Sequence, residues 1–310
     1  MPVMKRVLVT GGAGFIGSHL VDALIARGVS VTVLDDLSTG KRENIAHHDA
    51  RVNFVEGSVS DPDVVIHAAE GADIIFHLAA VASVPKSIDY PIETHQTNTT
   101  GTLAVFDAAR KLGISKVIYA SSSAVYGDLP DMPKTEMSEC CPKTPYGLHK
   151  MIGEAYAKLY HDLHGISSVG LRFFNVFGPR QDASSPYSGV ISIFKERLEN
   201  GKPITIYGDG ETTRDFVYVA DVVASLVVAA EINNGLDVFN IGTGKETSLK
   251  TVVAALEKAL GVTAEVSYQE ERVGDIKRSV ASIQKAQKEL GWQPQVTFEE
   301  GIAQLVQNKP

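Results

Sequence analysis

The stretch Arg6-Val7-Leu8-Val9-Thr10-Gly11-Gly12-Ala13-Gly14-Phe15-Ile16-Gly17 decides the fold. Residues 6–10 are an aliphatic, β-branched run and read as a strand. Residues 15–27 place Phe15, Ile16, Leu20, Leu24 and Ile25 at helical spacing, and Gly28 follows as a stop. Glycines at 11, 14 and 17 join the two. Gly11 permits a tight turn, Gly14 lets backbone approach a pyrophosphate at the positive end of the helix, and Gly17 lets the helix pack on the sheet. Asp35 then closes the second strand, where a carboxylate can accept hydrogen bonds from adenosine ribose hydroxyls. It would repel a 2′-phosphate, so NAD is favoured over NADP. Lys41 and Arg42 are the nearby cations that weigh the other way.

Outward from this unit, strand patterns recur at 31–34, 52–55, 74–77, 116–120 and 168–172, and helical patterns at 99–112 and 145–164. Strand–helix alternation predicts an α/β fold, a Rossmann-type doubly wound parallel sheet with ligands beyond its carboxyl edge. After about Gly178 the elements shorten, with helices at 190–200, 219–233, 249–260, 283–290 and 298–307. The expected division is a dinucleotide domain over 1–178 and a smaller C-terminal substrate-binding α/β lobe over 179–310. Part of 215–245, near 239–243, is expected to return to the first domain. No internal repeat is present.

The 310 residues carry 44% apolar and 21% charged side chains, enough for a full core and unlike a disordered chain. Acidic residues outnumber basic ones, 37 to 29. No basic face is available to displace counterions from a duplex, so nucleic acid is not an expected partner. The longest apolar run, 222–230, is about half a membrane span, and the N-terminus lacks a signal-peptide core. Neither membrane insertion nor export is expected. Cys140 and Cys141 are adjacent, no Cx2C pair or clustered histidine set occurs, and a metal site is not expected. The cysteines read as reduced thiols of a cytoplasmic protein.

Tyr146 and Lys150 lie four apart on a predicted helix, so both leave one face. The strand at 116–120 ends in Ser121-Ser122-Ser123, facing the same cleft as the glycine loop. A phenol titrates near 10 and is a poor base at neutral pH. A neighbouring ammonium and a cationic nicotinamide would lower that value. Tyr146 could then take a proton from a substrate hydroxyl as hydride leaves the same carbon, with Lys150 on the nicotinamide ribose and Ser122 on the substrate oxygen.

TGGAGFIG at 10–17, HLAA at 77–80, Asn98 in Asn-Thr-Thr-Gly, SSSAVYG at 121–127, YGLHK at 146–150 and RFFNVFGPR at 172–180 together resemble the extended short-chain dehydrogenase/reductases. Within them the chain is most similar to UDP-hexose 4-epimerases, a likeness that runs through GDGETTRDFVYVAD at 208–221, FNIGTG at 239–244 and RVGD at 272–275. The resemblance implies a bound NAD that takes hydride from C4 of a UDP-sugar and returns it to the opposite face of a 4-keto sugar. It implies Tyr146 as acid/base, Lys150 on ribose and phenolate, and Ser122 as hydroxyl partner. The cofactor would lie against Gly11, Gly14, Phe15, Ile16, Gly17, Asp35, Asp36, Ser38, Thr39, Gly40, Ser58, Val59, Leu78, Ala79, Ala80, Asn98, Tyr146 and Lys150. The substrate would meet Ser83, Ser122, Ser123, Asn175, Gln181, Val190, Arg214, Arg272, Asp275 and Ser279. Arginines suit the diphosphate, and the Asp275 carboxylate suits the uridine diol. A homodimer built on the helices at 98–112 and 145–164 is also implied.

Departures from the family pattern are informative. Dehydratases and decarboxylases of this kind carry an acidic residue just after the serine or threonine; here Ser123 and Ala124 stand there. Plain epimerisation is therefore expected. Ala82 replaces a lysine of many galactose-type epimerases, and Ser58 an acidic residue near adenine. Ser279 stands where glucose-restricted enzymes carry tyrosine, leaving room for a C2 N-acetyl group, so UDP-GlcNAc/UDP-GalNAc could fit beside UDP-glucose/galactose. Alternatives are a UDP-uronate epimerase, another nucleotide-sugar oxidoreductase and a non-catalytic NAD sensor. His77 reads as a structural histidine, His47 and His48 as solvated, Tyr126 as packing and Trp292 as a tail anchor. Gln181 could instead be an ordinary loop residue, Val190 a helix core residue, and Arg214 the partner of Asp215 or Asp221.

Overall fold

The computed structural model describes residues 4–182, 189–232, 235–270 and 276–307. Strands β1 (Arg6–Thr10), β2 (Ser30–Asp35), β3 (Val52–Glu56), β4 (Ile74–His77), β5 (Lys116–Ser122) and β6 (Ser167–Phe173) come first. The short β7 (Asn175–Phe177), β8 (Ile204–Tyr207), β9 (Thr213–Arg214) and β10 (Phe216–Tyr218) follow, then β11 (Leu236–Ile241), β12 (Thr247–Ser248) and β13 (Val266–Gln269). The helices are α1 (Phe15–Ala26), α2 (Pro62–Ala69), α3 (Val84–Asp89), α4 (Pro91–His95), α5 (Gly101–Leu112), α6 (Pro145–His164), α7 (Val190–Glu199), α8 (Val219–Glu231), α9 (Leu249–Leu260) and α10 (Phe298–Gln307).

Seven strands form one sheet in the order β11-β6-β5-β4-β1-β2-β3, every pair parallel. This is the doubly wound α/β arrangement the alternation predicts. Side chains of β1 point alternately to two cores. Val7 and Val9 join α1 and α8 residues such as Leu20 and Leu226, while Leu8 joins α2 and α5 residues such as Val65 and Phe106. The strand after α8 returns to the sheet edge beside β6, in register from Leu236–Ser168 to Ile241–Phe173. Three two-stranded pieces, β10–β7, β12–β9 and β13–β8, build the rest.

Local chemistry explains the elements that place the site. Helix α6 begins where Thr144 accepts from the Gly147 N–H at 3.2 Å with Pro145 at its first position, and ends at Gly165 in the left-handed region. The helical pattern at 99–112 extends upstream. A wide π-turn, Gln96–Thr100, joins α4 to α5. Its Asn98 turns inward and clasps the Val81 peptide, donating to the carbonyl at 3.1 Å and accepting from the N–H at 2.7 Å. Buried carboxylates knit the last third. Asp215 accepts from Thr243, Gly244 and Ala281, and Asp221 from the Gln295 and Val296 N–H groups. Trp292 donates to the Asp221 carbonyl and is buried, anchoring the tail. No helix among the described residues is long and apolar enough to cross a membrane.

Candidate active site

A cleft of about 220 Å³ opens at the carboxyl ends of the strands. The glycine loop forms its floor. Gly11 sits at φ +71°, and a Cβ there would stand 2.7 Å from the Ala79 nitrogen, so the loop and the 78–80 segment press together. A Cβ on Gly17 would lie 2.0 Å from the Gly11 carbonyl oxygen, so only glycine lets α1 pack this close. Gly14 differs: its nearest neighbour is that same oxygen at 3.2 Å, and its open side lines the cleft. The first turn of α1 is thus presented to an incoming pyrophosphate.

Phe15, Ile16, Asp36, Ser38, Thr39, Gly40, Val59, Leu78, Ala79 and Ala80 line the same cleft. Asp35 is buried in its wall, one oxygen accepting from Ala13 N–H and the other from Leu37 N–H, both at 2.9 Å. Burial pushes its carboxyl above the usual range, and the Leu37 and Ala13 N–H groups oppose that. Four residues expected at the cofactor, Ser58, Asn98, Tyr146 and Lys150, are not among those that line the cleft. The Ser58 hydroxyl turns to Ser60 at 2.8 Å, and Asn98 is spent on Val81, which itself lines the wall. Asn98 therefore shapes the cleft from behind.

Ala120 and Phe173, near the carboxyl ends of β5 and β6, also line the cleft. Lys150 donates to the Ala120 carbonyl at 2.8 Å, and its ammonium stands 5.8 Å from the Tyr146 ring centre. Ser122 hydrogen-bonds the Tyr146 phenol, and its oxygen accepts from Ala124 N–H. Burial pushes the Tyr146 phenol up while the Ser122 bond pulls it down. Burial lowers Lys150 to about 8. Tyr146 is anchored through its own N–H, accepted by the buried Ser87 hydroxyl at 3.1 Å. The three residues predicted to act together are together.

The proposed substrate residues are more dispersed. Ser83 caps α3 by accepting from Lys86 N–H, and Ser123 opens the turn after β5. Asn175 lies on β7 beside Phe216, Val190 opens α7, and Arg214 lies on β9, donating to the Thr213 carbonyl. Ser279 is half-buried in the strap leading to Val280. Gln181 bridges the Val176 carbonyl and the Ser192 hydroxyl inside the lobe. Arg272 and Asp275 lie outside the described residues. His77 is buried between Thr10 and Thr102, held neutral by burial and the nearby Lys150, which lower it to about 3. His47 and His48 are not simply solvated: both meet the Asp22 carboxylate at 2.9 Å, whose other oxygen faces Arg180 at 2.8 Å. The guanidinium already neutralises that carboxylate. Sequence reading missed the Glu154–Arg172 pair beneath the reacting end.

The model of the NAD dependent epimerase/dehydratase family matches residues 7–242. The UDP-glucose 4-epimerase of Mycolicibacterium smegmatis is 42% identical over 306 residues, 97% of each chain. A UDP-N-acetylglucosamine 4-epimerase from Methanobrevibacter ruminantium, solved with UDP-N-acetylmuramic acid, is similar at TM-score 0.94 and 41% identity, over 98% of this chain and 97% of that one. The UDP-glucose 4-epimerase of Thermus thermophilus, solved with NAD, gives TM-score 0.91 and 39% identity over 98% of both chains.

Proposed function

We propose, for a chain that belongs to the NAD dependent epimerase/dehydratase family, that it interconverts UDP-hexoses at C4 around a held NAD. The observation that carries this reading is the meeting of Ser122, Tyr146 and Lys150 beside Ala120, which lines the same cleft as the glycine loop. The relatives named as 4-epimerases support it. When bound, NAD supplies the acceptor and later the donor of the C4 hydride. The chain's own residues do the rest. The loop from Gly11 to Gly17 and Asp35 hold the dinucleotide. Tyr146 takes the proton of the C4 hydroxyl and gives it back, the Ser122 hydroxyl holds the substrate oxygen, and the Lys150 ammonium favours the phenolate. Ser123 and Ala124 offer no carboxylate for elimination, which favours epimerisation over dehydration or decarboxylation.

The finer assignments belong to the same proposal. Residues 1–178 would chiefly hold NAD and 179–310 the nucleotide sugar, with β11 and α8 serving the first unit. A second copy of the chain is the proposed partner. Ile88, Tyr90, Ile92, Leu148, Leu159 and Leu163 are exposed on α3, α4, α6 and the turn between the first two, an apolar surface suited to pairing of helices. A single-chain mass by equilibrium sedimentation would exclude it. The half-buried, unbridged Cys140 and Cys141 suit a cytoplasmic setting.

The decisive test is sugar-product NMR with UDP-glucose and UDP-N-acetylglucosamine, without added NAD. Inversion at C4 without net NADH is expected. No change at C4 on any UDP-hexose would end the reading. Ser279→Tyr should lower kcat/KM for the N-acetylated sugar selectively, by about 10-fold or more. Equal loss on both sugars would remove position 279 from the size gate.

A further inference from the structure

Beneath the reacting end lies a buried polar network to which the reaction above gives no role. Glu154 continues the α6 stripe begun by Tyr146 and Lys150, one further turn along. Its Oε1 accepts from the Ser121 hydroxyl at 2.6 Å. Arg172, 4% exposed, grips the same carboxylate with two N–H groups, Nε to Oε1 at 2.8 Å and Nη2 to Oε2 at 2.7 Å. Its Nη1 donates to the Tyr126 hydroxyl at 2.9 Å, which in turn donates to Asn240 at 2.6 Å. Ser121, Arg172 and Asn240 are register partners on β5, β6 and β11, one rung across three strands. Ser121 immediately precedes Ser122.

We propose that the Glu154–Arg172 pair is a positioning device for the epimerisation: it locks the helix carrying Tyr146 and Lys150 to β6 and, through the Glu154–Ser121 bond, to the strand end carrying Ser122. Three facts bear on this. A buried ion pair is a poor source of stability, since well-packed apolar residues of similar volume often serve as well or better. What it supplies instead is direction, because two parallel N–H···O bonds fix an angle that apolar packing leaves soft. And the locked parts are the two whose spacing governs proton transfer, where an error near 1 Å costs about 100-fold. Helix α6 touches the end of β5 through polar bonds from Tyr146 to Ser122, Lys150 to Ala120 and Glu154 to Ser121. The first two involve reacting groups, so the third is free to hold position.

The proposal rests on Tyr146, Lys150 and Ser122 carrying the reaction. Its test measures UDP-hexose epimerisation across pH for wild type, Glu154→Gln, Ser121→Ala and the paired Glu154→Leu with Arg172→Met, alongside thermal melting. Glu154→Gln should lower kcat by about 10- to 100-fold with KM changed by less than about threefold. The acid limb of kcat should move to higher pH, because a phenol displaced from Ser122 loses the bond that pulls it down against burial. Ser121→Ala should show a smaller loss of the same kind. The paired variant, which leaves no lone buried charge, should melt near the wild type yet keep the kcat defect. It carries the test if Glu154→Gln does not fold. A paired variant with wild-type kcat, or losses of kcat with an unmoved pH limb, overturns the proposal alone. A wild type inactive on every UDP-hexose takes down the proposal and the functional reading together.

Discussion

Replacing Gly17 and Gly14 by alanine, one at a time, separates two jobs within one motif. At Gly17 the added Cβ would stand 2.0 Å from the Gly11 carbonyl oxygen and 2.8 Å from the Gly12 Cα, both backbone atoms. Ordinary contact needs roughly 3.5 Å, so α1 and the loop must part by more than about 1 Å. Overpacking of this kind costs about 1–3 kcal/mol, and here it also spoils the loop. At Gly14 the nearest atom is 3.2 Å away, so a shift of a few tenths of an ångström suffices for the fold. The methyl group would instead stand in the cleft. Gly17→Ala should therefore lower the Tm of the NAD-free protein, whereas Gly14→Ala should leave it within about 1 °C. NAD at 100 times its wild-type Kd stabilises the wild type by about 2.7 kcal/mol, and both variants should lose most of that gain. Melting with and without NAD, with calorimetric titration, reads all four quantities. Wild-type melting of Gly17→Ala would refute the packing role. Wild-type NAD affinity of Gly14→Ala would refute the cofactor role.

Tyr146→Phe should lower kcat by about 10²–10⁴-fold while NAD stays bound, because the Ser87 anchor uses the Tyr146 backbone N–H; turnover within tenfold of wild type would remove the phenol from the reaction. Lys150 titrates at about 8 in the folded chain against 10.5 for the free side chain. Below about 8 the fold bears the full cost of the buried ammonium. Between those values the unfolded chain binds more protons, so the stability this group contributes rises with pH. The Tm difference, Lys150→Met minus wild type, should accordingly shrink from about pH 8 to pH 10, and a difference constant with pH would show that Lys150 is not buried as a strained cation.

The sheet and the reacting residues were readable because their signals are local. Strand β1, its glycine turn and the spacing of Tyr146 and Lys150 all sit within a few residues, and α6 begins and ends at Pro145 and His164 as the pattern predicts. The pieces from β7 to β10, two to four residues long, are too brief to show a period of two. The π-turn ahead of α5 arises from the clasp of Asn98 on Val81, a contact between distant segments that propensity does not register. The protein partners of Ser58 and Gln181, Ser60 for the one and Val176 and Ser192 for the other, are equally set by tertiary packing and not by local sequence. Glu154 and Arg172 were invisible for a related reason. Each alone reads as a surface charge, and only the packing of α6 on β6 makes them a pair.

The return of β11 to the edge beside β6 governs how the chain can be divided. A fragment ending at 178 would leave the β11-facing backbone groups of β6 unpaired and uncover the face of α1 on which α8 rests. Such an edge invites aggregation. The part after 178 is therefore no detachable module: truncation, domain swapping or grafting at that boundary would unravel the part before it as well, and both should melt in one cooperative transition.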